Sequence, residues 1–238
     1  MPIYTKTTTT IFFTLSSLLI SNPVLATGVV PETTVLLVKE SEGSATMNVT
    51  NSDAVPTILT TSIESIPEDK EPLLVATNPL SFVDAGAKQV VRFVLTNKKP
   101  LTVQRLVRVN FVGVPGRNKN EAKKNSVGMN VGQNIPAIIH PAGLKEEKAP
   151  WEKLSWSING NTLTVSNDSP YIVRMSQKID LYPQDGLASL PKTYILPGEK
   201  FTMNVSNKAN SNNSTYQSLR IYPATVYGFM VNHYDVKL

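Results

Sequence analysis

Segment after segment of this chain alternates apolar and polar side chains, and none of these segments is long. Ser44–Thr50 (SATMNVT) and Leu106–Val112 (LVRVNFV) place apolar residues at every second position. That is the period of a strand with one buried face. Thr33–Val38 and Lys88–Thr96 (KQVVRFVLT) are β-branched or alternating runs, and Leu73–Val75 is a shorter one. Val55–Ile63 continues the pattern with a Pro56 that suits an edge or a bulge. Turn clusters separate these runs: Asn51-Ser52-Asp53, Asp84-Ala85-Gly86-Ala87 and Gly113-Val114-Pro115-Gly116. No stretch carries a sustained helical period. Such a chain folds as antiparallel β-sandwich, not as a parallel sheet with crossover helices.

At 238 residues the chain is too long for one small sandwich and suits two domains of about 100 residues each. A second set of strand signals follows the first: Leu154–Ile158, Leu163–Ser166, Ile172–Ile179, Lys192–Ile195, Phe201–Val205, Leu219–Tyr222 and Val226–Val231. Asn159-Gly160 predicts a hairpin turn, because both residues tolerate positive φ. Between the two sets, His140–Pro150 (HPAGLKEEKAP) is charged and Pro-bearing, as linkers are. The expected division is residues 27–144 and 145–238.

Residues 1–26 read as an export signal. Lys6 supplies the positive end, Ile11–Ile20 (IFFTLSSLLI) the apolar stretch, and Val24 and Ala26 the small residues of a cleavage site before Thr27. That stretch falls short of the roughly 20 residues that span a bilayer, and no later run reaches them. The mature chain is expected in an exported compartment, without membrane insertion. Losing Lys6 lowers the formal charge from +5 to +4, which is mild, and an exported protein does not meet nucleic acid. Basic residues still gather between positions 88 and 124: Lys88, Arg92, Lys98, Lys99, Arg105, Arg108, Arg117, Lys119, Lys123 and Lys124, opposed only by Glu121. Such a run either protects sheet edges from aggregation or steers acidic partners.

There is no cysteine, which excludes thiolate catalysis, thiolate metal sites and redox switching. His140 and His233 are too few for a metal or proton-transfer constellation. No nucleophile elbow or phosphate loop is present. An enzyme, a metal site and a cofactor are therefore not expected.

Gly116–Ser126 (GRNKNEAKKNS) reads as a basic loop, and Val127–Ile139 as a strand. Val127, Met129, Val131 and Ile135 share one face of it, with Gly or Asn between the first three. Glycine weakens a strand and often marks close backbone approach. Taken alone, the segment reads as an ordinary sandwich strand.

The order of motifs resembles the PapD-like chaperones of pilus assembly along nearly the whole mature chain. Ser44–Asn51 is similar to that family's second strand and turn. Asn78-Pro79 followed by Asp84–Arg92 is similar to its Pro…Gly…Arg stretch. Arg105–Phe111 with Val114-Pro115 resembles the strand before its long loop. His140-Pro141 stands where the family's G strand ends, and Trp151 with Asn167–Tyr171 resembles the opening of its second domain.

The resemblance implies an all-β fold of two immunoglobulin-like sandwiches set at an angle around a cleft. It implies a periplasmic chaperone that caps pilus (fimbrial) subunits by donor-strand complementation and delivers them to an outer-membrane usher without ATP. Val127, Met129 and Val131 would then fill the groove of a subunit that lacks its last strand. Burying three such side chains contributes on the order of 5–9 kcal/mol before ordering costs. Methionine suits a groove of variable shape. An uncovered apolar edge also suits self-capping of two free copies as a homodimer.

One family feature does not carry over. The usual Arg and Lys that hold the subunit's terminal carboxylate fall at Val35 and Pro136 here. Neither pairs with a carboxylate. Substitutes with donors or charge are Gln133, Asn134, His140, Arg105 and Arg108. A competing reading without the resemblance is a structural or adhesive surface β-sandwich module.

Overall fold

Two separate apolar cores organise the chain. One is drawn from residues between Val29 and Ile139, the other from residues between Trp151 and Ile221. The computed structural model describes residues 28–116, 132–206 and 216–238, and nearly all its regular structure is strand.

The first sandwich contains β1 (Val29–Pro31), β2 (Leu36–Lys39), β3 (Ser44–Asn51), β4 (Thr57–Ser65), β5 (Leu74–Ala76), β6 (Leu80–Val83), β7 (Lys88–Leu95), β8 (Arg105–Pro115) and β9 (Gly132–His140). A four-stranded sheet runs β1-β3-β7-β5 and a five-stranded sheet β2-β9-β8-β4-β6. The run Thr33–Val38 is not one strand. β1 pairs with β3, the chain bends, and β2 joins the other sheet parallel to β9. Phe93 on β7 and Phe111 on β8 are fully buried and meet edge to face at 6.3 Å, joining the two sheets.

Gly113 to Gly116 is not the turn its composition predicts, because β8 continues to Pro115. A Cβ on Gly113 would lie 2.8 Å from Val29 Cγ1. The glycine allows the sheets to approach, so the apparent turn signal is a packing signal.

The second sandwich contains β10 (Ser155–Asn159), β11 (Thr162–Ser166), β12 (Val173–Met175), β13 (Lys178–Tyr182), β14 (Gly186–Ser189), β15 (Tyr194–Ile195), β16 (Lys200–Asn204), β17 (Ser218–Ile221), β18 (Pro223–Ala224) and β19 (Tyr234–Lys237). The expected strand Ile172–Ile179 breaks at Ser176-Gln177. β12 pairs with β15 and β18, whereas β13 pairs with β14 and β17. Asn159 pairs with Thr162, so the hairpin loop is Gly160-Asn161, one residue later than expected, with Gly160 at φ +57. Val226–Val231 is a turn instead of a strand. Gly228 N–H donates to the Thr225 carbonyl at 2.9 Å, and Gly228 has φ +88.

A buried asparagine ties one end of each sandwich. Asn51 Nδ2 donates to the carbonyls of Val55, Val83 and Asp84, and Asn167 Nδ2 to those of Tyr171 and Ile195.

Candidate functional site

The outer face of the five-stranded sheet carries the features not explained by core packing. Along β8, Val107, Val109 and Phe111 point into the first core. The alternation therefore turns Leu106, Arg108, Asn110 and Val112 outward. β9 follows the same rule. Ile135, Ala137 and Ile139 enter the core, and Asn134, Pro136 and Ile138 share the outer face.

β9 has an uneven edge. On one side it pairs with β8 from Gly132 to Ile139. On the other, β2 covers it only from Ala137 to His140. Among the described residues, Gly132 to Pro136 have no strand on that side, and Gly132, Gln133 and Asn134 are exposed. This is an open sheet edge that stops abruptly where β2 begins.

The lower end of the face meets the second domain. Val35, Ile66, Leu106 and Ile138 form a buried cluster with Ile172, against which Tyr194 and Leu196 pack. Gln104 pins the junction. Its N–H donates to the Pro170 carbonyl at 2.9 Å, and its Oε1 accepts from Ile172 N–H at 2.8 Å. The amide NH₂ must then donate to His140 Nδ1, 3.0 Å away. That places the His140 proton on Nε2, which donates to the Leu144 carbonyl at 2.9 Å. Lys192 joins Glu68 of the first domain to Glu199 of the second. The junction is flanked by cavities of about 340 Å³ beside Asp69 and Leu196, and about 520 Å³ beneath Leu37, Ile138 and Tyr227.

The linker expected at His140–Pro150 is tied down. β9 runs through His140, Ala142 N–H donates to Glu40, and Tyr171 O–H donates to the Lys145 carbonyl.

Three arginines near this junction differ in their partners. Arg105 forks onto Asp69 and also reaches Glu71 at 2.9 Å, which holds the Asp69 carboxyl below the usual carboxylate range. Arg108 has no ion-pair partner among the described residues. It donates to the Asn134 side chain and, at 2.8 Å, to the Asn134 carbonyl. Arg174 on β12 is in the same position with respect to charge, and its Nη1 is buried without a hydrogen-bond partner. Burial, and then the nearby Arg108 charge, pull the Arg174 guanidinium below its ordinary value. Burial does the same to Arg108, against weaker pulls from Tyr194 and Glu64.

The upper end of the face is apolar and open. Ile58 stands directly between Phe82 and Val114 in register, and Leu80 is on the same face two residues along β6. These side chains are 46%, 67%, 38% and 65% exposed respectively. A contiguous apolar row of this kind marks an interaction surface.

Of the residues singled out from sequence, Asn134 and Arg108 come together on the outer face of β8 and β9, whereas Gln133 stands opposite Phe111 in register, on the other face of β9. Arg105 is committed to Asp69 and Glu71, and His140 to the junction. Val35 is buried in the junction cluster, and Pro136 stands opposite Arg108 in register. Val127, Met129, Val131, Ala26 and Thr27 lie outside the described residues. Of the basic run, Lys88 and Arg92 stand on β7 in the other sheet, while Arg117, Lys119, Lys123 and Lys124 also lie outside. Arg174 and the apolar row were missed. Arg174 reads as one polar position in YIVRM, and only the packing of the two domains gives it meaning.

The family model for the N-terminal domain of PapD, a pili and flagellar-assembly chaperone, matches residues 28–145. The model for the C-terminal domain of the pili assembly chaperone PapD matches residues 149–222. The fimbrial chaperone YhcA of Escherichia coli K12 is 39% identical over 215 residues, covering 90% of this chain and 92% of its own length. MrkB, a chaperone protein of Klebsiella pneumoniae, is 31% identical over 132 residues, 53% of this chain and 52% of its own. The fold matches the Salmonella enterica SafB chaperone, solved in complex with the SafA pilin, at a TM-score of 0.71 and 18% identity, covering 90% and 98% of the two chains. It matches the Pseudomonas aeruginosa CupB2 chaperone at 0.69 and 20%, covering 88% and 100%.

Proposed function

The chain belongs to the PapD family of pilus-assembly chaperones, and from that premise we propose that it captures fimbrial subunits in the periplasm by lending them a strand. Export would remove residues 1–26 by cleavage between Ala26 and Thr27. Residues 27–144 would form the capturing domain and 145–238 its second wall. The open edge of β9 from Gly132 to Pro136 carries the reading. An incoming strand finds unpaired backbone groups there, each hydrogen bond contributing about 0.5–1.5 kcal/mol net. Immediately before this edge in sequence, Val127, Met129 and Val131 supply apolar side chains for the subunit groove. Strand exchange of this kind involves no bond chemistry, so the protein acts without ATP and not as an enzyme.

The exposed row of Ile58, Phe82, Val114 and Leu80 supports delivery to an outer-membrane usher, because it stays free while β9 is occupied. Free copies would cap one another through the same lending strand. Aspartate replacement at Val127, Met129 and Val131 tests the central reading. The variants should keep wild-type thermal unfolding and lose the 1:1 complex on co-expression with a fimbrial subunit. Variants that unfold, or that still capture, would refute strand lending by these residues.

A further inference from the structure

We propose that His140 and Gln104 form an acid-sensitive latch between the two domains, closed while the histidine is neutral and released when it takes up a proton. The inference concerns how the domains are held together and stands whatever partner the protein takes.

Three hydrogen bonds in series carry it. Ile172 N–H, from the second domain, donates to Gln104 Oε1 at 2.8 Å. That fixes which end of the amide is which, so the Gln104 NH₂ faces His140 Nδ1 at 3.0 Å. His140 Nε2 then donates to the Leu144 carbonyl at 2.9 Å. The chain has one direction, from Ile172 through the amide and the ring to Leu144, and it requires a neutral ring with a bare Nδ1. A protonated imidazole donates from both nitrogens. Its Nδ1 proton would meet the amide protons of Gln104, and no rotation of the ring restores an acceptor. Turning the amide over would satisfy the ring but set its NH₂ against Ile172 N–H, beside a residue that is 2% exposed. Proton uptake by His140 and the bond from Gln104 to Ile172 therefore exclude each other.

The surroundings let the proton in. His140 lines the cavity of about 520 Å³ together with Leu37, Ile138 and Tyr227, so solvent reaches the ring without unfolding. Charges of both signs face it. Lys39 pairs with it in register on β2, and Glu40 follows, bonded to Ala142 N–H. Glu146, Glu147 and Lys148 come from the linker and Tyr227 from the second domain. Glu146 is within electrostatic reach of the ring but is already paired with Lys39 at 2.7 Å. On β8, Arg105 is opposite Ile139 and turned onto Asp69. The ionic contacts on the other flank of the junction do not titrate with it. Against the cost of burial, Lys192 holds the Glu68 carboxyl below its usual range, and Arg105 does so for Asp69. Histidine is the side chain whose ordinary charge change falls between about pH 5 and 8. In acid the junction would keep its apolar cluster and the bond from Gln104 N–H to the Pro170 carbonyl. It would lose the side-chain tie, and the second domain would sample a wider range of settings.

Time-resolved energy transfer tests this. The chain has no cysteine, so Lys88→Cys and Lys200→Cys place one dye on an exposed position of each domain. In the otherwise wild-type protein the interdomain distance distribution should broaden as pH falls from about 8 to about 5 and narrow again on neutralisation. His140→Asn keeps an acceptor near the place of Nδ1 and does not titrate, so its width should be the same at both ends of the range. Gln104→Glu should reverse the sign. Its carboxylate accepts from Ile172 N–H and from the protonated ring at once, so this variant should be narrower in acid than at neutral pH. A merely space-filling role for Gln104 would not produce that reversal. A wild-type width that does not change with pH overturns the latch. So does acid broadening that persists in His140→Asn or in Gln104→Glu, because another group would then be responsible. Broadening accompanied by loss of the β-sheet circular dichroism would be unfolding, and it too overturns the proposal.

Discussion

The two ends of one sheet face have opposite fates. At the lower end Val35, Leu106 and Ile138 are 4%, 1% and 2% exposed, sealed against Ile172 of the second domain. At the upper end Ile58 and Phe82 of the same sheet are 46% and 67% exposed. Both ends lie on the same face of one sheet, and β8 runs through both, with Leu106 at the sealed end and Val114, in the same alternation, at the open end. What separates them is reach: the second domain covers one end and stops short of the other. An apolar row on the outer face of a sandwich sheet is therefore a docking surface in either case. The covered row docks an attached domain, and the open row would serve the usher delivery proposed above.

The largest effect that could break this comparison comes from placing a charge at each end. Ile138→Asp buries a carboxylate with no partner in the junction cluster and should lower stability by about 3–5 kcal/mol. Phe82→Asp should change it by no more than about 0.5 kcal/mol. Urea unfolding of both variants measures the difference. Phe82→Asp should nonetheless abolish pilus assembly in cells while leaving subunit capture intact. Equal destabilisation by the two substitutions would show that the upper row is not free.

Gln104→Leu probes how the lower end is held. Its side chain is 7% exposed and satisfies Ile172 N–H and His140 Nδ1 at once. Leucine keeps the volume but orphans the Ile172 donor, a loss of about 1–3 kcal/mol. Small-angle scattering should also show a wider spread of interdomain angles. A variant that destabilises without loosening the domains would confine Gln104 to a local role and blunt the contrast between the two ends.

Alternation and turn chemistry made much of the first sandwich legible, because long strands such as β3, β4, β7 and β8 repeat the period often enough to be read. The second sandwich was harder. β12, β15 and β18 are two or three residues long, too short for a period, and β12 runs into β13 across a change of sheet that Ile172–Ile179 does not signal. Val226–Val231 misled for a different reason. Its apolar residues serve a turn in which a Cβ on Gly228 would come within 2.4 Å of Thr34 Oγ1, a contact between domains. The candidate site shows the same limit. Arg105 and Arg108 look alike in RLVR, yet one is forked onto Asp69 and the other has no carboxylate partner among the described residues. Partners distant in sequence decide such cases, and only the fold brings them together.

The smallest predicted effect concerns Arg105 and Asp69, the saturated counterpart of Arg108. The Asp69 carboxylate is 16% exposed, and Arg105 holds its pKa below the ordinary value of 3.8. A group whose folded pKa is depressed adds stability that is fully present above its unfolded pKa. That stability is lost as pH falls through the lower folded value. Asp69→Asn should therefore be less stable than wild type at neutral pH by about 1 kcal/mol, the upper range for a partly screened pair. The two melting curves should draw together as the pH falls below the ordinary carboxylate value of 3.8. Phe82→Ser, at the open end, should run parallel to wild type across the whole range, since no titrating partner is lost. Melting temperatures recorded from acid to neutral pH separate the two patterns. A gap between Asp69→Asn and wild type that stays constant into acid would mean that Arg105 is held by shape and not by charge. It would then no longer serve as the paired reference against which Arg108 stands out.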